Sequence, residues 1–424
     1  MNNIKDNLGS DSILSIITTV SNAFYPWIVL ITLSKYVGME IVGIYAFAAA
    51  IFMPIFKASA LSLKEITATN YTINSVIITS FKIRLWTSLI AYVISILFII
   101  TGVSDRYWPL ILVLGIIRIV ESLFDYSSGL YLREDNYKYM AISAFTRNVI
   151  FPLLMTCIIY LLQSPEIGFV CLMVCQLGFY ITFEFKIIKQ YSYVQDRKLY
   201  ATNEWFTVPT KREFLPYLKL SFPITSAIFI ASVNASTPRI IGTAIFDAAT
   251  VGLLAGFVQI SNAFVPLLSG FTHALMPKLG RSYQTGSLQK FKKYVLLLFG
   301  ISSACSLSLY IVSISEYSEK FLEILLNDVF AENIDYFKLI AISTAFSYFN
   351  CVMGPVKISQ LQYKNELVQN SIVFILLVIL CLVLGNIYGL VGIFYSIILS
   401  QAFRSIWLLV SINIGIVNKF DTIR

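Results

Sequence analysis

The feature that most constrains this chain is a repetition: stretches of about 17 to 25 mainly apolar residues recur twelve times along it. They fall near 13–33, 42–61, 85–101, 110–132, 139–162, 167–188, 220–245, 251–276, 294–313, 337–356, 367–384 and 390–414. A stretch of that length spans a hydrocarbon core of roughly 30 Å as one helix, which satisfies its own backbone N–H and C=O groups where no water can. With 57% of its 424 residues hydrophobic and 13% charged, and a mean hydropathy of +0.77, the chain reads as an all-α polytopic membrane protein. The polar start "MNNIKDNLGSDS" runs straight into the first apolar stretch with no small-residue cleavage site, so that span is expected to be retained.

The net charge of +8 raises the question of a nucleic-acid partner, and the placement of the basic residues answers it. With both termini set inside, 22 loop Lys and Arg residues fall on the inner side and three, Lys35, Arg106 and Lys320, on the outer side. That asymmetry is a topology signal, predicting cytoplasmic N and C termini and no nucleic-acid partner. The six cysteines lie in apolar segments and read as small buried hydrophobes, and His273 is the only histidine. A metal site or a Ser-His-Asp triad therefore has little material, and neither catalytic residues nor a metal are expected.

The longest connection, about 30 residues over 189–219, follows the sixth span and divides the spans six and six. The predicted organisation is an N-terminal six-helix bundle (1–190), a cytoplasmic linker (191–219) and a C-terminal six-helix bundle (220–424). The linker ends in "WFTVPTKREFLPYLKL", aromatic and basic together, which reads as a segment lying on the membrane surface, an ordinary polar linker being the alternative. The halves echo each other weakly. Val42, Gly43 and Ala46 align with Val251, Gly252 and Ala255, and Leu132 and Asn136 with Leu361 and Asn365. Six spans per half give both halves the same orientation, so the fold expected is about 12 transmembrane helices in two pseudo-symmetric bundles with a transport path between them.

The segments "LSKYVGMEIVGIYAFAAAI" and "PRIIGTAIFDAATVGLLAGFVQI", with the inner loops "REDNYKYM" and "HALMPKLGRSYQTGSLQKFKKY", resemble the polysaccharide-transporter branch of the multidrug/oligosaccharidyl-lipid/polysaccharide exporter superfamily, and within it O-antigen flippases of the Wzx type. The resemblance runs nearly full length through span count and loop sizes. It implies a bacterial inner-membrane protein that moves an undecaprenyl-diphosphate-linked oligosaccharide, the O-antigen repeat unit, from the inner to the outer leaflet by alternating access, coupled to H+ or Na+. Its expected partners are the lipid-linked oligosaccharide, membrane lipids and other O-antigen assembly proteins. Family members often carry an acid before the arginine of the seventh span; here Pro238 precedes Arg239.

Ionised side chains inside the membrane mark candidate sites. Five spans each hold one cation: Lys57, Arg118, Arg147, Arg239 and Arg404. Guanidinium suits a diphosphate load, since it stays charged when desolvated and offers forked donors to phosphate oxygens, and these five are the candidate substrate-binding residues. In "GIIRIVESLFDYSSG" (115–129), Arg118, Glu121 and Asp125 share one helical face. Glu121 is placed to pair with Arg118, and Asp125 to bind a coupling proton or sodium ion; an interhelical salt-bridge lock is the competing reading of the trio. For Lys57 and Arg404 the competing reading is snorkelling to the headgroups. Aromatics such as Tyr25 and Tyr45 read as the aromatic belt, with sugar stacking as the alternative.

Two other functions stay open on the sequence. A cation-coupled multidrug exporter of the same superfamily tends to carry an acid in its first span, and 13–33 has none. A membrane polymerase or ligase acting on the same glycans needs a sizeable outer loop, and the longest here, 314–336, has about 23 residues. The expectation is a transporter and not an enzyme.

Overall fold

A computed structural model describes residues 2–69, 76–100, 104–196, 201–360 and 364–420. Every regular element among them is helical. In order they are α1 (Asn2–Tyr36), α2 (Met39–Ser59), α3 (Leu63–Thr69), α4 (Val76–Ile99), α5 (Trp108–Arg133), α6 (Tyr137–Phe145), α7 (Phe151–Leu162), α8 (Pro165–Phe179), α9 (Phe185–Asp196), α10 (Lys211–Ile245), α11 (Ala248–Ser261), α12 (Val265–Gln284), α13 (Leu288–Ile314), α14 (Ser318–Leu325), α15 (Asp328–Glu332), α16 (Ile334–Ser359) and α17 (Lys364–Phe420). Two π-helical turns, Thr146–Ile150 and Tyr180–Glu184, join α6 to α7 and α8 to α9 as single spans.

Among the described residues, 11 helical runs are long and apolar enough to cross a membrane. The last, Glu366–Val417, covers the two expected stretches 367–384 and 390–414. They meet at Gly389, whose φ of 63° and ψ of −140° break the helix within α17, a backbone that only glycine adopts without strain. The chain is a multi-pass membrane protein with the all-helical fold the hydropathy predicts.

Local chemistry sets the ends of these helices. Between α7 and α8, Gln163 turns left-handed at φ 52°, Ser164 accepts from the Ile167 N–H and Pro165 takes the first helical position. Asn136 caps α6 by accepting from the Tyr139 N–H, and Asp247 caps α11 by accepting from the Thr250 N–H. Several expected boundaries move: the third span begins at Val76 rather than 85, so Lys82 and Arg84 lie inside α4; the seventh begins at Lys211 rather than 220, taking Lys211, Arg212 and Lys219 out of the expected linker; and the eighth ends at Gln284 rather than 276.

Two compact units result, one of Met1–Gly38 with Ile44–Ser236, the other of Met39–Gly43 with Thr237–Arg424. The first is built around α5, which packs against α3, α4 and α8, and the second around α16, which packs against α12, α13 and α17. Phe81, Phe124, Tyr126 and Trp205 anchor the first core; Leu298, Tyr348, Val352 and Leu408 anchor the second. Trp205, from the stretch read as lying on the membrane surface, is 1% exposed and stacks edge-on against Phe81 and Phe185.

Within the second unit the repeat shows itself as a reciprocal contact. A Cβ on Gly43 would stand 1.7 Å from the Ala248 carbonyl oxygen, and one on Gly252 would stand 2.5 Å from that of Met39. Position 43 aligns with 252 and position 39 with 248, so each glycine admits the backbone that its repeat counterpart's helix begins with. Only the missing side chains allow helices to cross this closely.

Candidate functional site

Asp125 is the centre of charge in the first unit. Arg84 of α4 donates through Nη2 to its Oδ2 at 3.0 Å, and Lys64 of α3 donates through Nζ to its Oδ1 at 3.4 Å. Arg84 also donates from Nε to the Ser122 carbonyl at 2.9 Å, while its buried Nη1 has no hydrogen-bond partner. Lys57 and Arg147 stand further out but close enough to act electrostatically on Asp125. Four cations thus stand around Asp125, with Glu65 within electrostatic reach of Arg84, and Glu121 and Glu184 within reach of Arg147.

The backbone delivers Lys64 to that place. Between α2 and α3, Leu61 and Ser62 both adopt left-handed conformations, φ 48° and 46°, a costly pairing for residues with side chains. The turn lays α3 so closely along α5 that a Cβ on Gly129 would be 2.6 Å from the Lys64 carbonyl oxygen. Glycine at the end of "DYSSG" therefore sets how near Lys64 comes to Asp125, one helical turn away.

The exposures grade this cluster. The Arg84 side chain is 4% exposed, whereas Lys64 and Asp125 are each 35% exposed, so the carboxylate is fixed from one side and open on the other. Lys57 is exposed, at the C-terminal end of α2. Arg147 lies on the first π-helical turn, its guanidinium 5.1 Å from the centre of the Phe124 ring and its Nη2 3.5 Å from Asn22 Oδ1.

Arg118 and Glu121 form a separate pair. Arg118 Nη1 donates to Glu121 Oε2 at 2.6 Å, one turn apart on α5, and Tyr25 and Tyr45 stand beside them. Tyr25 is buried at 8% exposure, inside the unit rather than in an aromatic belt.

In the second unit Glu366 holds the corresponding position of a carboxylate between two cations. Its Oε2 accepts from Lys357 Nζ at 3.1 Å, and its Oε1 lies 3.7 Å from Arg404 Nη2. Lys357 also donates to Gln369 Oε1 at 2.7 Å and is completely buried. Beside them Asn350, Gln401 and Ser405 form a hydrogen-bonded chain, Ser405 donating to Asn350 at 2.9 Å and Asn350 to Gln401 at 2.9 Å. Arg239 is half-buried on α10.

The five candidate cations are thus divided, with Lys57, Arg118 and Arg147 in the first unit and Arg239 and Arg404 in the second. The sequence does not single out Lys64, Arg84, Lys357 or Glu366, because the three cations count there as inner-loop charges and Glu366 falls just outside the expected span 367–384. Among the described residues no group of three or more His, Cys, Asp or Glu side chains is placed to hold a metal ion.

No family profile matches the chain. A curated relative, the capsular polysaccharide biosynthesis protein CapF of Staphylococcus aureus, is 21% identical over 388 residues, spanning 91% of this chain and 94% of that protein. Among solved structures, a ligand complex of the MATE multidrug transporter DinF-BH superposes with a TM-score of 0.67 at 18% identity, covering 98% of this chain and 96% of that one. An inward-facing multidrug resistance MATE family transporter of the MOP superfamily gives 0.63 at 14% identity, covering 96% and 95%. With two units, each centred on one helix, and likeness to both structures over nearly its whole length, the chain has the fold of the MATE transporters of the MOP superfamily.

Proposed function

We propose that this protein is a flippase for a lipid-linked oligosaccharide carrying a diphosphate, translocating it across the cytoplasmic membrane by alternating access. The observation that carries the reading is the gathering of cations at the partly exposed Asp125, where Lys64 and Arg84 pair with the carboxylate and Lys57 and Arg147 stand within electrostatic reach of it. Arg84 Nη1, buried and without a hydrogen-bond partner, is a donor that a phosphate oxygen displacing its cover would satisfy.

The load we assign is an undecaprenyl-diphosphate-linked O-antigen or related surface-polysaccharide unit. The CapF resemblance supports it, since that protein's name places it in capsular polysaccharide biosynthesis. In this reading the termini are cytoplasmic, other polysaccharide-assembly proteins are partners, the coupling ion is H+ or Na+, and no metal cofactor takes part. A multidrug exporter is the second reading, favoured by the MATE structures, one of which is a multidrug transporter with its ligand bound.

Proteoliposomes containing the purified protein separate the two. The probes are a fluorescent prenyl-diphosphate disaccharide and a cationic dye. Flipping of the glycolipid that is lost in Arg84→Ala and inhibited by inorganic pyrophosphate is the expected result. Transport of the dye with no movement of the glycolipid would falsify the proposal.

A further inference from the structure

Glu184 ends the second π-helical turn and is completely buried. Its Oε2 accepts from the Tyr131 hydroxyl at 2.6 Å, while its Oε1 is buried with no hydrogen-bond partner. The facing groups are few. Ser127 and Tyr131 come from α5, Ser143 from α6, Arg147 from the first π-helical turn and Tyr180 from the same turn as Glu184, its hydroxyl buried and without a hydrogen-bond partner. Ser127 spends its proton on the Leu123 carbonyl at 3.2 Å. On α9, Lys186 is exposed and Lys189 donates to Thr202, so Arg147 is the cation that faces the carboxyl.

Arg147 and Glu184 do not pair. No ion pair within 4.0 Å joins them among the described residues; Arg147 rests over Phe124 and against Asn22, with its Nε buried and without a partner. An orphaned carboxyl oxygen and an orphaned guanidinium N–H thus lie within electrostatic reach of each other, each on a π-helical turn. Such turns are single-residue expansions of a helix that recur at functional sites, and here they hold both groups. A carboxylate this enclosed is not stable as an anion facing nothing; either a cation meets Oε1 or a proton occupies it.

We infer that Glu184 is a proton-binding site in competition with anions for Arg147. In one state Oε1 carries the proton, Glu184 is neutral, and Arg147 stays over Phe124, facing Asp125 and any phosphate bound there. In the other the proton has left, the carboxylate draws Arg147 to itself, and the anion loses a cation. The two equilibria are linked: anion binding strengthens proton binding by the same factor that protonation strengthens anion binding. A proton is the ligand we assign, because it needs only the one free carboxyl oxygen, whereas a metal cation needs several oxygens turned toward it at once. The inference rests on the transport reading only in its biological use.

The test is a pH titration of the full-length protein in detergent, read by infrared difference spectroscopy of the protonated-carboxyl C=O band, with inorganic pyrophosphate as the anion probe. The expected wild-type spectrum contains a protonated carboxyl at neutral pH that is absent in Glu184→Gln. In Tyr131→Phe the band shifts in frequency, which identifies it even if Glu184→Gln folds poorly. Pyrophosphate should carry the protonated band upward by about one pH unit, tenfold in proton affinity. Arg147→Ala should do the same alone and abolish the pyrophosphate effect. Persistence of every carboxyl band in folded Glu184→Gln, a titration unmoved by Arg147→Ala, or a band moved by sodium at constant pH each overturns the inference. No glycolipid enters this experiment, so its failure leaves the flippase reading standing, and a failed flipping assay leaves the proton site standing.

Discussion

Asp125 and Glu366 each sit between two cations, yet one cluster is open and the other closed. Around Glu366, Lys357 is completely buried and its ammonium is shared by a carboxylate and the Gln369 amide oxygen. Around Asp125, the carboxylate and Lys64 are each 35% exposed, and Arg84 keeps a buried N–H without a partner. A cluster whose ammonium is buried and bonded twice fixes helices to one another, here α16 to α17, with Arg404 at its edge, 25% exposed and keeping a buried Nε without a hydrogen-bond partner. The Asp125 cluster, more exposed at its carboxylate and at Lys64, has room left for a ligand. On the function proposed above, the same motif of cation, carboxylate and cation serves as a lock in one unit and as a receptor in the other.

The comparison breaks first at Glu366. Glu366→Ala strands Lys357 in a buried site at a cost of about 3 to 5 kcal/mol, and folded protein in membranes should fall sharply. The paired replacement of Lys357 by Met and Glu366 by Leu should recover thermal stability, because an apolar pair of similar volume removes both desolvation costs. Pyrophosphate binding by the recovered protein tests the division: retained binding keeps Glu366 a lock, and lost binding makes the second unit part of the receptor.

Arg84→Ala comes next, with an expected loss of about 1.5 to 3 kcal/mol for its hydrogen bonds to Asp125 and to the Ser122 carbonyl. It should also abolish pyrophosphate binding. Arg84→Lys should return more stability than binding, since a point charge keeps the attraction to Asp125 but cannot reach Ser122, Asp125 and a phosphate together. Equal recovery of both would mean that Arg84 is structural alone.

How much of this the sequence discloses depends on where each residue's partner lies. Spans are legible because about twenty apolar residues in a row have few other fates. The Arg118–Glu121 pair is legible because its spacing of three lies on one helix. Arg84 and Lys357 are not, for a physical reason: a hydropathy sum counts each charge as though it stood alone in hydrocarbon, while the fold neutralises Arg84 with an acid 41 positions away and Lys357 with one nine positions on. That is why the third span was expected to start at 85 and starts at Val76. The split at Gly389 is hidden similarly, because φ and ψ leave no mark on apolar periodicity.

Gly129→Ala probes the geometry instead of the charge. Its Cβ would press on the Lys64 carbonyl oxygen at 2.6 Å, forcing α3 away from α5. Overpacking of this kind costs about 1 to 3 kcal/mol, and by drawing Lys64 off Asp125 it should weaken pyrophosphate binding as well. A variant that loses stability while binding normally would show that the position of α3 is not what sets the receptor.

The smallest effect on stability is expected at Lys64, and it separates receptor from lock most cleanly. Lys64 and Asp125 are both partly exposed, so their 3.4 Å contact is taken to contribute no more than an exposed ion pair, about 0.2 to 1 kcal/mol. Lys64→Ala should therefore unfold within a degree or two of wild type, given that 1 kcal/mol moves a domain of 150 to 250 residues by about 2 to 4 °C. Its pyrophosphate affinity should drop far more than its stability, because the ammonium that faces Asp125 also faces whatever anion enters beside it. Salt sharpens the reading: ionic strength screens an open pair and spares an enclosed one. Raising it should weaken wild-type binding, weaken Lys64→Ala binding by a smaller factor, and leave the contribution of the Lys357–Glu366 pair to thermal stability nearly unchanged. If Lys64→Ala instead loses as much stability as Arg84→Ala and keeps its affinity, then the Asp125 cluster is a second lock, and the difference between the two units is one of exposure and not of role.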